Sequence, residues 1–211
     1  MRRRIPLSRA RQLAPFIDFL DRIGAPIERG LERNKLPPGM HERSDMLVST
    51  YATFGFVADM ARREGIDEFG WRATSSELSQ LSPGLVQRLR CSSALLQALE
   101  TACALAYRES SNVAVWLEER RGSLFVCHRG SIEVGAPGSD DANVMRAVFL
   151  ISIVRIFMGS EWTPAEIGLA AADDIGPALR EQLPNARLLR SVDFWRELVR
   201  SALGQVAQSW V

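Results

Sequence analysis

SDDANVMRAVFLISIVRIFMGSEWTPAEIGLA, residues Ser139 to Ala170, is the stretch whose reading decides the fold. Ser139, Asp140 and Asp141 open it with N-capping residue types, and the two carboxylates suit the positive end of a helix dipole. An apolar run follows, Ala147 to Ile153 and then Val154, Ile156, Phe157 and Met158, and Gly159 is placed to end it in a left-handed cap. A helix this apolar is buried on most sides. It is not a membrane span, which takes ~20 uninterrupted apolar residues, because Arg146 and Arg155 bracket its densest part. The chain then turns through Trp162-Thr163-Pro164 into Glu166-Ile167-Gly168-Leu169, which reads as a short strand. The rest of the domain is expected to pack around this one central helix.

Upstream, the two-residue repeat of Val113, Val115 and Leu117 against Ala114 and Trp116 predicts a strand. Arg120-Arg121-Gly122 makes a turn, and Leu124-Phe125-Val126 leads a second strand to Cys127 and His128, giving an antiparallel hairpin. Before the hairpin, Leu95, Leu96, Leu99, Cys103 and Ala106 fall at helical spacing over about 93–107. Phe69-Gly70-Trp71 fits either a helix end or a loop, and the serines at 75, 76, 79 and 82 read as loop before Leu85, Val86 and Leu89. Three further helices precede that segment. Leu13, Phe16, Ile17, Leu20 and Ile23 make one face, Pro26 opens a shorter helix, and 49–64 closes on Gly65. Residues 1–9 read as a frayed basic arm.

Downstream, Asp173 and Asp174 cap a short helix from Pro177 to Gln182, and Arg187-Leu188-Leu189 reads as another strand. Trp195, Leu198, Val199, Ala202, Val206 and Trp210 fit one face of an amphipathic helix. The expected class is α+β: N-terminal helices, an antiparallel hairpin and sheet packed by a central buried helix, and an amphipathic C-terminal helix. The expected layout is one domain over 1–192 and a helical tail over 193–211.

Composition excludes more than it identifies. The chain has 211 residues, 46% hydrophobic and 24% charged, with a formal net charge of +1, so bulk charge gives no case for nucleic acid or a membrane surface. Lys35 is the only lysine. Cys91, Cys103 and Cys127 are odd in number and scattered, which argues against a disulfide framework and for a reducing cytoplasm. No apolar stretch follows Met-Arg-Arg-Arg, because Arg9, Arg11 and Pro15 interrupt it, so no export signal is read there.

Chemistry is sparse as well. The two histidines, His41 and His128, have no ligand-type neighbour at a spacing that suits a metal, and Cys127 and His128 point to opposite faces of their strand. The G-x-S-x-G elbow, G-x-x-x-x-G-K and G-x-G-x-x-G are all missing. The pairs Asp140-Asp141 and Asp173-Asp174 sit at helix starts, where capping explains them better than acid–base work. Arg88-Leu89-Arg90 and Arg120-Arg121 read as solvated surface, and the Asp173-Asp174 pair within 163–191 would repel phosphate, which counts against a helix-turn-helix there. Binding and association remain. Trp71, Trp116 and His128 are the candidate pocket residues, Trp116 being on the opposite strand face from Val115. Trp195, Leu198, Val206 and Trp210 are the candidate association residues.

Four segments also carry a family resemblance. They are Phe16-Ile17-Asp18-Phe19-Leu20 with Ile23-Gly24-Ala25-Pro26-Ile27-Glu28 and Leu31-Glu32-Arg33; Leu36-Pro37-Pro38; Ser93-Ala94-Leu95-Leu96-Gln97-Ala98-Leu99; and Phe125-Val126-Cys127-His128-Arg129, followed after the apolar helix by Gly159-Ser160-Glu161-Trp162-Thr163-Pro164-Ala165-Glu166-Ile167. Their order and spacing over residues 10–192 resemble the N-terminal effector-binding and oligomerisation domain of AraC/XylS-type transcriptional regulators, in the arabinose-binding-like branch. The resemblance implies a small-molecule effector, no cofactor and no catalysis. The family continues into two helix-turn-helix units, whereas this sequence stops at Val211. The expectation is thus a cytoplasmic sensor half, reaching DNA only through a partner, as a homodimer or in a mixed oligomer with a full-length relative. The rivals are an enzyme acting on a small hydrophobic substrate in the same pocket, and a complete regulator with weak DNA contact.

Overall fold

Helical spacing becomes helices through the N-terminal half. In this computed structural model, residues 5–74, 78, 81–120, 123–169, 177–190 and 195–198 are described. Strand β1 (Leu7–Arg9) leads to α1 (Ala14–Arg22) and α2 (Ile27–Arg33). Strand β2 (Leu47–Ser49), α3 (Thr50–Glu64), α4 (Phe69–Ala73), α5 (Pro83–Arg90) and α6 (Leu95–Glu109) follow. The hairpin is β3 (Val113–Arg120) and β4 (Ser123–Gly130). After it come α7 (Ser139–Met158), β5 (Glu166–Leu169), α8 (Pro177–Gln182), β6 (Arg187–Arg190) and β7 (Trp195–Leu198). The α+β class is as the sequence predicts.

Helix α7 is the centre. Thirteen of its residues, from Ser139 to Val154, are buried. Met145, Phe149, Leu150, Ile153 and Val154 join the large core with Phe16, Phe56, Phe69, Leu95 and Leu99. Ala147, Val148 and Ile151 face a second cluster with Trp71, Ile167, Leu179 and Leu183. One helix thereby separates two cores, which is why its sequence has no polar face. Its start is fixed by backbone contact. Gly138 has φ +75°, and a Cβ there would lie 2.2 Å from the Phe54 carbonyl oxygen. A Cβ on Gly70 of α4 would likewise lie 2.4 Å from the Asp141 carbonyl oxygen, and the Gly70 N–H donates to Asp141 Oδ1 at 2.7 Å. Asp141 is therefore an inter-helix acceptor as well as a first-turn carboxylate. Gly159 ends the helix with φ 91° and ψ 158°, so its φ is positive but it is not the left-handed cap expected.

The main sheet has the order β3-β4-β7-β5-β6. Its pairs are antiparallel except β5–β6, which are parallel and joined through α8, since parallel neighbours need a crossover. Strand β7 corrects the sequence expectation for the tail. Trp195–Leu198 is not helical; it pairs with β4 (His128↔Trp195, Phe125↔Leu198) and with β5 (Ile167↔Glu197, Gly168↔Arg196). Over four residues a helical and an alternating pattern cannot be told apart, and here the unfilled backbone groups of β4 and β5 decide. Val206 and Trp210 lie outside the described residues.

The N-terminal arm is corrected too. Strand β1 pairs with β2, with Ser8↔Val48 in register. Buried Ser8 shares hydrogen bonds at 2.9 Å with the hydroxyls of Thr50 and Ser110. Those hydroxyls anchor an arm that its basic residues made look frayed. Among the described residues no helix is long and apolar enough to cross a membrane.

Candidate functional site

The strand alternation and two helical stripes converge on one cavity. Ala102, Ala106 and Glu109 come from one face of α6; Met145, Arg146, Phe149, Leu150 and Ile153 form a stripe of α7. Val113 and Val115 point inward from β3, and His128 of β4 stands opposite Val115 in the register. Leu81, Leu85, Gln12 and Ser110 complete the wall. The free space is about 70 Å³. That exceeds the one-water minimum of ~10–15 Å³ several-fold. The small side chains of Ala102 and Ala106 open it; larger residues there would close it.

Polar groups in this wall are few. Glu109 is buried, and its oxygens accept from Ser82 N at 3.1 Å and Ser82 Oγ at 2.5 Å. His128 is fully buried, and burial, then the nearby Arg146 charge, pushes its pKa well below the usual histidine value. It is neutral at pH 7 and offers one ring N–H and one ring acceptor. Arg146 is buried on the same side. Its Nη1 donates to Asn143 Oδ1 at 2.8 Å, and its guanidinium carbon lies 5.7 Å from the Phe54 ring centroid. Burial lowers its pKa to about 10, so it stays charged at neutral pH. No carboxylate pairs with it among the described residues. Gly130 leaves it room, since a Cβ there would come within 3.0 Å of Nη1.

Of the three pocket candidates from sequence, His128 is on the cavity wall and the two tryptophans are elsewhere. Trp71 is in the second core, on the other side of α7, and its buried Nε1 has no hydrogen-bond partner among the described residues. Trp116 packs with Phe125 and Cys127 on the far face of the hairpin, as its register opposite Cys127 requires. Of the association candidates, Trp195 and Leu198 are placed by backbone pairing inside the sheet. Sequence reasoning took Arg146 only as a flank of the apolar run. A signal was there: positions 142, 143, 149 and 150, one turn away on either side, hold no carboxylate to pair with it.

Among the described residues no group of three or more His, Cys, Asp or Glu could hold a metal ion. The Cys103 thiol is raised to about 11, mainly by burial and then by Glu100, so it is not a thiolate at neutral pH.

Fold and site together define an α+β domain with a mostly apolar cavity between its central helix and its hairpin. No protein-family model matches the chain, and no curated protein matches it in sequence. In structure the chain is similar to the transcriptional regulator CdpR from Pseudomonas aeruginosa, with a TM-score of 0.52 at 13% identity. The similarity covers 84% of this chain and 54% of that one, so the chain spans about half the length of CdpR. At that identity the likeness is one of fold.

Proposed function

We propose that this chain is the sensory domain of a transcriptional regulator of the AraC type, and that its effector binds in the cavity between α6, α7 and the hairpin. The carrying observation is that cavity: a mostly apolar wall with a few polar groups, as small-molecule sites have. The fold likeness to a transcriptional regulator and the four sequence segments that resemble the AraC/XylS sensor domain support the reading. Binding is favoured over catalysis because the one carboxylate in the cavity wall, Glu109, is committed to Ser82. The signal leaves through α7, which touches both cores, to a second copy or a full-length regulator that supplies the DNA contact.

A methyl-labelled sample titrated with a library of small apolar compounds tests this. Binding should shift the methyls of Leu85, Val115, Leu150 and Ile153 together. Shifts confined to other surfaces, or none with any compound, would remove the cavity from the account. Light scattering over a concentration series, with and without a bound compound, tests association. A single chain mass under every condition would remove the self-association arm.

A further inference from the structure

Arg146 is expensive where it sits. A guanidinium withdrawn from water is costly unless charge and hydrogen bonds offset it. The offsets present are one amide oxygen, Asn143 Oδ1, and the face of Phe54. Both are neutral. Glu109, in the same cavity wall, makes no ion pair with Arg146, and Ser82 takes its oxygens. His128 beside it contributes no charge. The guanidinium also carries five donor hydrogens in a planar fork, and one hydrogen bond is accounted for. An uncompensated cation in a mostly apolar cavity fits an anion with an apolar body.

We propose that the cavity takes a small amphipathic monocarboxylate, its head on the Arg146 guanidinium and its hydrocarbon tail against Leu85, Val115, Phe149, Leu150 and Ile153. The inference rests on the effector-cavity reading above and names its ligand class. Carboxylate geometry matches the guanidinium fork, and a bidentate pair of this kind is stronger than a neutral hydrogen bond. Inorganic phosphate has no apolar surface to repay leaving water, so it fits these walls poorly. A primary ammonium would meet Arg146 as a like charge.

Hexanoate, its neutral isostere hexanamide, and hexylammonium are titrated against the whole chain by calorimetry, with the cavity methyls followed by NMR. Hexanoate should bind about tenfold or more tighter than hexanamide, the gain expected from one charge-assisted contact. Hexylammonium should not bind. In Arg146→Gln the preference for hexanoate should vanish while hexanamide binding persists; in Arg146→Lys part of the preference should return. If Arg146→Gln does not fold, as its melting curve would show, the wild-type ranking and Arg146→Lys still decide. Equal binding of hexanoate and hexanamide to the wild type overturns the anion assignment. So does a preference that survives in Arg146→Gln. If none of the three binds while neutral library compounds shift the cavity methyls, the carboxylate class falls and the effector cavity stands. If no compound shifts them, both fall.

Discussion

At the scale of single residues, titration and close contact make the sharpest predictions. The folded state holds His128 neutral, with a pKa depressed well below 6.5 by burial and then by Arg146. Its contribution to stability is present above pH ~6.5 and is lost as pH falls, because the unfolded chain takes up a proton that the folded one refuses. Stability should therefore drop between pH 7 and 5 with the slope of about one proton, and His128→Gln should flatten that slope in denaturant titrations. A slope unchanged by the substitution would assign it to another group. Asp59 acts in a lower window. Burial works to raise its pKa, but hydrogen bonds and charge from Arg63 and Arg33 outweigh that and hold it at about 2. The stability it adds is complete above its unfolded value of 3.8 and fades as pH falls toward 2. Gly70→Ala forces a Cβ into the Asp141 backbone at the α4–α7 contact, and should cost about 1–3 kcal/mol by overpacking. A thermal melt within a degree of wild type would mean that α4 moves aside freely.

At the scale of elements, what was legible in the sequence depended on length. Helix α7 was readable because twenty residues leave no doubt about their composition, and α1, α3 and α6 because their spacing repeats several times. Phase was harder. Leu96 falls in the apolar stripe of α6 and is 41% exposed, because an alanine-rich helix can be rotated without breaking its pattern. Strands β1, β2 and β7 are three or four residues long and carry no local signal of their own, unlike the equally short β5 and β6; pairing partners far away in sequence define them. The position of β7 changes what a truncation would mean. Deleting residues from 193 onward takes out the strand between β4 and β5 and leaves two unpaired edges in mid-sheet. The deleted protein should melt markedly lower and aggregate. A deletion that melts like wild type would show that β4 and β5 need no strand between them.

At the scale of the whole molecule, α7 holds the two cores apart and also forms one wall of the cavity. The cavity itself could not be read from the chain: its wall draws on segments from Gln12 to Ile153, and only the folded contacts bring Arg146 beside His128. The hairpin face that carries His128 was legible, since strand alternation separates Val115 from Trp116 before any fold is known. The role of Trp71 was not, because a tryptophan in a short helix looks the same whether it lines a cavity or fills a core. The direct test of the account is to fill the cavity. Ala102→Phe, on the buried face of α6, and wild type are melted with and without saturating toluene, a neutral probe of an apolar cavity. Toluene should raise the melting temperature of the wild type and leave that of Ala102→Phe unchanged, whatever the variant's own melting temperature. An equal rise in both proteins would place the binding site elsewhere and contradict the account.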